Sequence, residues 1–240
     1  MNAATKLYEQ KQNFNFITRF LHKTRYKNLD KLIRNASKKK KFLKIIDIGC
    51  GPGKAYNIIS ETGINFEYIG IDPHRNFCNI ASERYSKFQN FKIICDNIEN
   101  KFELLDDADV IIGLETFEHI PEPIVVRTLE YISTINFILL YITVPNEIGP
   151  AILIKNIGSA IMRYSRYKQY TWKQTFFASI YRLDKLPPHT TEHIGFDWRW
   201  LAKTIRQNVK ITKITKNPID IIPKSCSPSI GFVCISNHQK

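Results

Sequence analysis

Residues 42–54, FLKIIDIGCGPGK, decide how this chain is read. An apolar run, interrupted only by Lys44 and Asp47, passes directly into Gly49, Gly51 and Gly53. Isoleucine-rich segments bounded by glycine read as buried strands. Glycines at such an end let the backbone turn sharply and approach a ligand. The helix expected next would present its amide-rich start to an anionic group.

The same alternation recurs downstream. FEYIGID (66–72), FKIICD (91–96), ADVIIGL (108–114) and FILLYITVP (137–145) are short apolar runs separated by helical stretches. Strands alternating with helices predict a parallel sheet covered on both faces. VKITKITK (209–216) and SIGFVCIS (229–236) then read as a closing antiparallel pair around NPIDIIPKSCSP. The fold class expected is α/β: a Rossmann-like, seven-stranded, mostly parallel sheet with helices on both faces and a closing antiparallel strand. The expected organisation is a single domain over 1–240. A basic helical prelude (1–42) leads to a cofactor-binding core (43–146), a helical lid or insertion (147–188), and a closing helix and strands (189–240).

Hydrophobic residues make up 43% of the 240 and charged residues 24%, which excludes wholesale disorder. The formal net charge of +13 implies an acidic partner, either nucleic acid or an anionic membrane surface. Lys38 to Lys41 form a lysine run that reads as a solvated loop. Five cysteines without a CxxC pair read as thiols in a reducing compartment rather than a disulfide framework. The start, MNAATKLYEQKQNF, has no apolar signal region, and no apolar stretch reaches the roughly 18 residues of a spanning helix. A cytoplasmic protein, peripheral at most to the inner face of a membrane, is expected.

The second apolar run ends in Asp72, where a carboxylate can accept both hydroxyls of a ribose, and the third in Asp96 and Asn97, suited to the amino edge of an adenine. Ligands of open α/β sheets sit at the carboxyl ends of the strands, so an adenosine compound is expected there. A dinucleotide site would need glycine where Lys54 stands. The GxGxG spacing after Asp47, with Asp72 and Asp96 in register, resembles the class I S-adenosylmethionine-dependent methyltransferases over about residues 43 to 146. The resemblance implies S-adenosylmethionine as cofactor, held by Asp47, Gly49, Gly51, Gly53, Asp72, Asp96, Asn97 and Leu114.

GLETFEHIPEP (113–123) follows the fourth run and falls beside the reacting methyl group in such a fold. It carries neither the Asn-Pro-Pro-Tyr-like motif of amino methyltransferases nor the Pro-Cys of cytosine C5 enzymes, which favours an oxygen acceptor. A chain turning helically after Leu114 would gather Glu115, Glu118 and His119 on one face, able to hold Mg²⁺ or Mn²⁺. Alternatively His119 is a general base with Glu118 beside it. A third reading has the acids favour the helix start at Pro121 and Pro123, with His119 packing at the pocket edge. ETFEHIPEP also resembles the ExxEHVPDP of the ubiquinone-biosynthesis O-methyltransferases (the type 11 methyltransferase group), where a hydrophobic, membrane-contacting insertion and a downstream histidine follow. In the small-RNA terminal 2'-O-methyltransferases a histidine in DHxFEWTR completes ExxEH. EHIGFDWRW (192–200) is similar at a spacing one residue different, leaving His193 or His189 as the fourth metal ligand.

In the insertion, Ile154, Ile157, Ile161 and Tyr164 recur at helical spacing beside Lys155, Arg163, Arg166 and Lys168. Tyr170, Trp172, Phe176, Phe177 and Tyr181 follow, with Lys173 and Arg182. This mixture suits a lid, and over 147–185 the interface of an anionic membrane. The preferred reading is O-methylation of a small, lipid-linked or sugar-like acceptor. An RNA 2'-O-methyltransferase with a metal site ranks second, and a non-catalytic cofactor-binding partner protein third.

Overall fold

The computed structural model describes residues 16–161 and 170–238. Its seven strands are β1 (Phe42–Ile48), β2 (Asn65–Ile71), β3 (Phe91–Ile94), β4 (Val110–Leu114), β5 (Leu139–Pro145), β6 (Lys210–Asn217) and β7 (Ser229–Ile235). They form one sheet in the order β3-β2-β1-β4-β5-β7-β6. The first five are parallel, and β7 runs antiparallel to both neighbours. The expected fold class holds, down to the closing pair.

Burial explains why the runs lack polar alternation. Every residue of β5 is buried, because helices cover both faces. On one face α1 (Phe16–Ser37), α2 (Lys54–Ser60) and α3 (Arg75–Tyr85) pack Leu29, Ile33, Ile59 and Ala81 against Leu43, Ile45, Tyr68 and Val110. On the other, α4 (Glu122–Thr134) and α7 (Trp198–Asn208) bring Val125, Leu129, Leu201 and Ile205 onto Ile46, Ile111, Leu140 and Phe232. The sheet order turns at β1, whose neighbours β2 and β4 lie on opposite sides. This opens a crevice at the strand ends.

The helical prelude is α1; residues 1–15 lie outside the described residues. The insertion forms α5 (Pro150–Ile161) and α6 (Trp172–Ser179), the latter started by a capping box in which Thr171 and Gln174 exchange hydrogen bonds. Ile152, Tyr170, Ala178 and Leu186 make a small core of their own. Ile154, Ile157, Ile161, Trp172 and Phe176 are exposed, as a lid with an apolar outer face requires. Three other residues of the insertion turn inward. Tyr170 is buried, Phe177 packs on the small core, and Lys155 reaches the sheet. Arg163, Tyr164, Arg166 and Lys168 lie outside the described residues. Among the described residues no helix is long and apolar enough to cross a membrane.

Lys155 is the latch. Its Nζ donates to the buried Glu147 carboxylate at 2.8 Å, to the Asn146 carbonyl at 3.0 Å and to the Pro228 carbonyl at 3.3 Å. Removing one member of a buried ion pair strands the other charge, at a cost of about 3 kcal/mol. Lys155→Met is therefore expected to lower the unfolding free energy by about that amount in a urea melt. Its α5 amides should be the first to gain exchange. A melt unchanged from the parent would refute the latch.

Candidate active site

A cavity of about 1060 Å³ opens at the strand ends, lined by the glycine turn, Asp72, Asp96, Glu115, Glu118, His119 and His193. One half is built from contiguous sequence. Gly49, Gly51 and Gly53 all have left-handed backbones, with φ of 70°, 54° and 78°. A Cβ on Gly49 would come within 3 Å of three side-chain atoms of Thr116, so only glycine fits. The Gly51 amide donates to Asp72 at 2.8 Å and the His74 amide to its other oxygen at 2.8 Å, which fixes the carboxylate at the cavity wall. Each oxygen keeps a lone pair for a ribose hydroxyl.

Asp96 and Asn97 also line the cavity, as does Leu114. Asp96 accepts from the Asn100 side chain and the Asn97 amide, both at 2.8 Å, and these bonds hold its carboxyl below the usual range. The Asp96 carboxylate thus pins the turn that carries Asn97. An adenosine cofactor fits this half: a glycine cradle that a Cβ would obstruct, a fixed carboxylate, and an acidic strand end one strand further out.

Asp47 is buried beneath the turn, its carboxylate accepting the Tyr68 hydroxyl at 2.5 Å. Burial pushes its pKa up to about 7, the Tyr68 bond opposing and Asp72 adding to the rise. An acid whose folded pKa exceeds its unfolded value of 3.8 binds its proton more tightly in the folded chain. Its contribution to stability is full below that value and is lost as pH climbs to about 7. Asp47→Asn is expected to flatten the fall in stability across this window. A slope identical to the parent's in melts at stepped pH would rule Asp47 out as its source.

The other half of the cavity gathers residues from distant segments. The helical face expected from Leu114 onward does not form as drawn. Glu115 has a left-handed backbone, φ 55°, and its amide donates to the Thr143 carbonyl at 2.8 Å, so the short 3-10 turn begins only at Phe117. Glu115 is thereby swung away from Glu118. It pairs with Arg25 Nη2 at 3.1 Å and accepts from the Ser229 hydroxyl at 2.9 Å. A non-glycine residue at positive φ is strained, and strain of this kind concentrates at functional sites.

Glu118, His119 and His193 do converge, with one ligand atom from each within 4.8 Å of the others. Glu115 is outside that group, a correction to the four-residue metal set. His193 is the histidine that arrives: its ring centroid lies 5.0 Å from that of His119, while His189 packs on Phe196. Glu118 is fully buried. Neither of its oxygens has a hydrogen-bond partner among the described residues, and His119 Nε2 stands 3.8 Å away. Burial, reinforced by Glu115, drives its carboxyl well above the ordinary range. His119 Nδ1 lies 2.8 Å from the Thr191 carbonyl, which can only accept, so in the neutral ring Nε2, 3.8 Å from Glu118, is the unprotonated nitrogen.

Arg25, Ser229 and Thr191 were not singled out from sequence. Arg25 lay in a prelude read as a basic helical segment, and no local pattern separates it from its lysine and arginine neighbours. The other two are ordinary residues that only the tertiary fold brings here.

Comparison with known proteins agrees with this geometry. Residues 20–147, just over half the chain, match the family described as Methyltransferase domain. Over 80 residues the chain is 31% identical to the ubiquinone/menaquinone biosynthesis C-methyltransferase UbiE of Campylobacter jejuni, a match covering 31% of this chain and 34% of that protein. The match thus spans about a third of the curated relative's length. Among solved structures, the magnesium protoporphyrin IX methyltransferase of Synechocystis with bound SAH superimposes with a TM-score of 0.61 at 11% identity, over 98% of this chain and 95% of that one. An S-adenosylmethionine-dependent methyltransferase from Clostridium acetobutylicum gives 0.64 at 10% identity, over 98% and 99%. At such identities these structures speak for the fold. With the glycine cradle, the acidic strand ends and the match over 20–147 in agreement, the chain belongs to the methyltransferase-domain family and has the architecture of its class I, S-adenosylmethionine-dependent members.

Proposed function

We propose that the chain O-methylates a small, lipid-linked or sugar-like acceptor. The observation that carries the reading is the convergence of Glu118, His119 and His193 on the wall of the cavity that Asp72 and the glycine turn also line. S-adenosylmethionine supplies an already activated methyl group, so the protein has to align an acceptor oxygen and take its proton. In this reading His119 takes that proton, a role supported by the Thr191 carbonyl accepting from its Nδ1. Glu118 stands behind it, and His193 closes the wall. Gly49, Gly51 and Gly53 would approach the methionine portion, Asp72 the ribose, and Asp96 with Asn97 the adenine. Asp47 and Leu114 complete that half.

A second reading is favoured by the buried Glu118 carboxylate, whose oxygens accept no hydrogen bond among the described residues. Two imidazoles and a carboxylate would hold a divalent cation, and this donor set suits Mn²⁺ better than Mg²⁺. Such an ion would lower the pKa of a bound hydroxyl. The exposed apolar face of α5 and α6 supports delivery of the acceptor from an anionic membrane surface.

The test is transfer of labelled methyl from S-adenosylmethionine into a cell lysate split into lipid, carbohydrate, RNA and protein, with and without chelator. Label in lipid or carbohydrate supports the proposal, and its loss on chelation supports the metal. Label confined to RNA or protein overturns the acceptor class. Equal binding to anionic and neutral liposomes counts against the electrostatic part of the membrane contact.

A further inference from the structure

Among the described residues, buried side-chain atoms without a hydrogen-bond partner gather on the α1 side of the β5-β7-β6 edge. They are Arg25 Nε, the Thr143 hydroxyl and Asn217 Nδ2, beside the hydroxyls of Tyr141 and Thr215, which interact with each other. Strand register places them. Thr143, Gly231 and Thr215 form one row across the three strands, and Pro145, Ser229 and Asn217 the next. Gly231 leaves room for the first row, since a Cβ there would overlap the Thr215 hydroxyl and come within 3.2 Å of that of Tyr141. α1 roofs the patch: Asn28 donates to Asn217 Oδ1 at 3.0 Å, and Arg25 pairs with Glu115.

Unpaired polar atoms in a buried setting are costly, and native chains satisfy them with water or a ligand. Arg25 and Asn217 both line the cavity as well, so the patch opens into the acceptor half rather than being sealed in the core. Both offer N–H donors. The guanidinium charge is already offset by Glu115 at 3.1 Å, and the carboxylate of Glu115 would repel a second anion arriving beside it.

We infer that Arg25 and Asn217 form an acceptor subsite, separate from the Glu118, His119 and His193 wall, that binds an uncharged oxygen of the acceptor such as a ketone, ether or second hydroxyl. The inference rests on the cavity being an acceptor chamber. It adds a requirement that the reacting hydroxyl alone would not impose: a second, neutral oxygen on the same molecule.

The test uses the full chain saturated with S-adenosylhomocysteine and three phenols of similar size, 4-hydroxyacetophenone, 4-hydroxybenzoate and 4-ethylphenol, titrated calorimetrically. The ketone is expected to bind about tenfold more tightly than the other two, the worth of one or two hydrogen bonds. Asn217→Asp, which exchanges a donor for an acceptor in the same shape, should abolish the preference. Arg25→Lys, which keeps charge but loses the Nε donor, should reduce it. Unchanged affinity for S-adenosylhomocysteine reports that the variants fold. If the three phenols bind alike, the subsite fails and the patch holds water only, while the acceptor chamber stands. If none binds although S-adenosylhomocysteine does, the reading of the chamber as a site for small hydroxyl compounds falls, and the subsite with it.

Discussion

His119→Ala is expected to lower kcat about a thousandfold and to leave the affinity for S-adenosylhomocysteine within about twofold of the parent, as loss of the proposed general base would. The split follows from the architecture. His119 sits in the turn after β4, beyond Leu114, whereas the glycine turn, Asp72 and Asp96 follow β1, β2 and β3. Methyl incorporation into whichever lysate fraction accepts label gives the rate, and calorimetry the affinity. Glu118→Gln separates the two readings of the site. The amide keeps the shape of a neutral acid and should cost a metal-free enzyme about tenfold or less, but it would cost a metal-dependent one its ligand and most of its activity. Turnover untouched by either change would overturn the catalytic assignment in an active methyltransferase, whereas cofactor binding without any turnover in the parent would favour a cofactor-binding partner protein.

Gly49→Ala has the other large effect, and on binding rather than rate. An L-residue at φ 70° costs about 1 to 2 kcal/mol, and the new methyl group must also displace the Thr116 side chain from contact with the turn. The turn cannot keep its shape, and affinity for S-adenosylhomocysteine is expected to fall about a hundredfold, with a lower melting temperature. Thr116→Ala added to this variant removes two of the three overlapping atoms and should recover about tenfold, the remainder being backbone strain. Full recovery would mean that the clash alone mattered. No loss at all would remove the turn from the binding site.

The cofactor half was legible because it is local. Strand, turn and helix follow each other within 42–60, and each acidic strand end is a few residues from its own apolar run, so periodicity and glycine spacing carry the information. The acceptor half was legible only in part. ExxEH marks Glu118 and His119 as a pair, but the spacing argument presumed a helix after Leu114. Backbone geometry at Glu115 overrode it, because the Glu115 amide is taken by β5 and its side chain by Arg25 and Ser229. Lys155 was misplaced for a related reason. In sequence it stands with Arg163, Arg166 and Lys168 as one more cation of the insertion, but α5 follows β5 closely, and a long flexible stem reaches the buried Glu147 that local sequence does not connect to it.

The hydrogen bond between Asn28 and Asn217 joins residues 189 positions apart, and the Arg25 contact to Glu115 depends on the same docking of α1. On a ribosome adding about 5 to 20 residues per second, α1 emerges many seconds before β6 exists to receive it. A nascent chain released or stalled after β5 already owns the glycine turn, Asp72 and His119. It lacks Ser229, Asn217 and His193. Such a fragment is expected to leave the cavity open on the β7 side and to bind S-adenosylhomocysteine more weakly than the chain that carries β6 and β7.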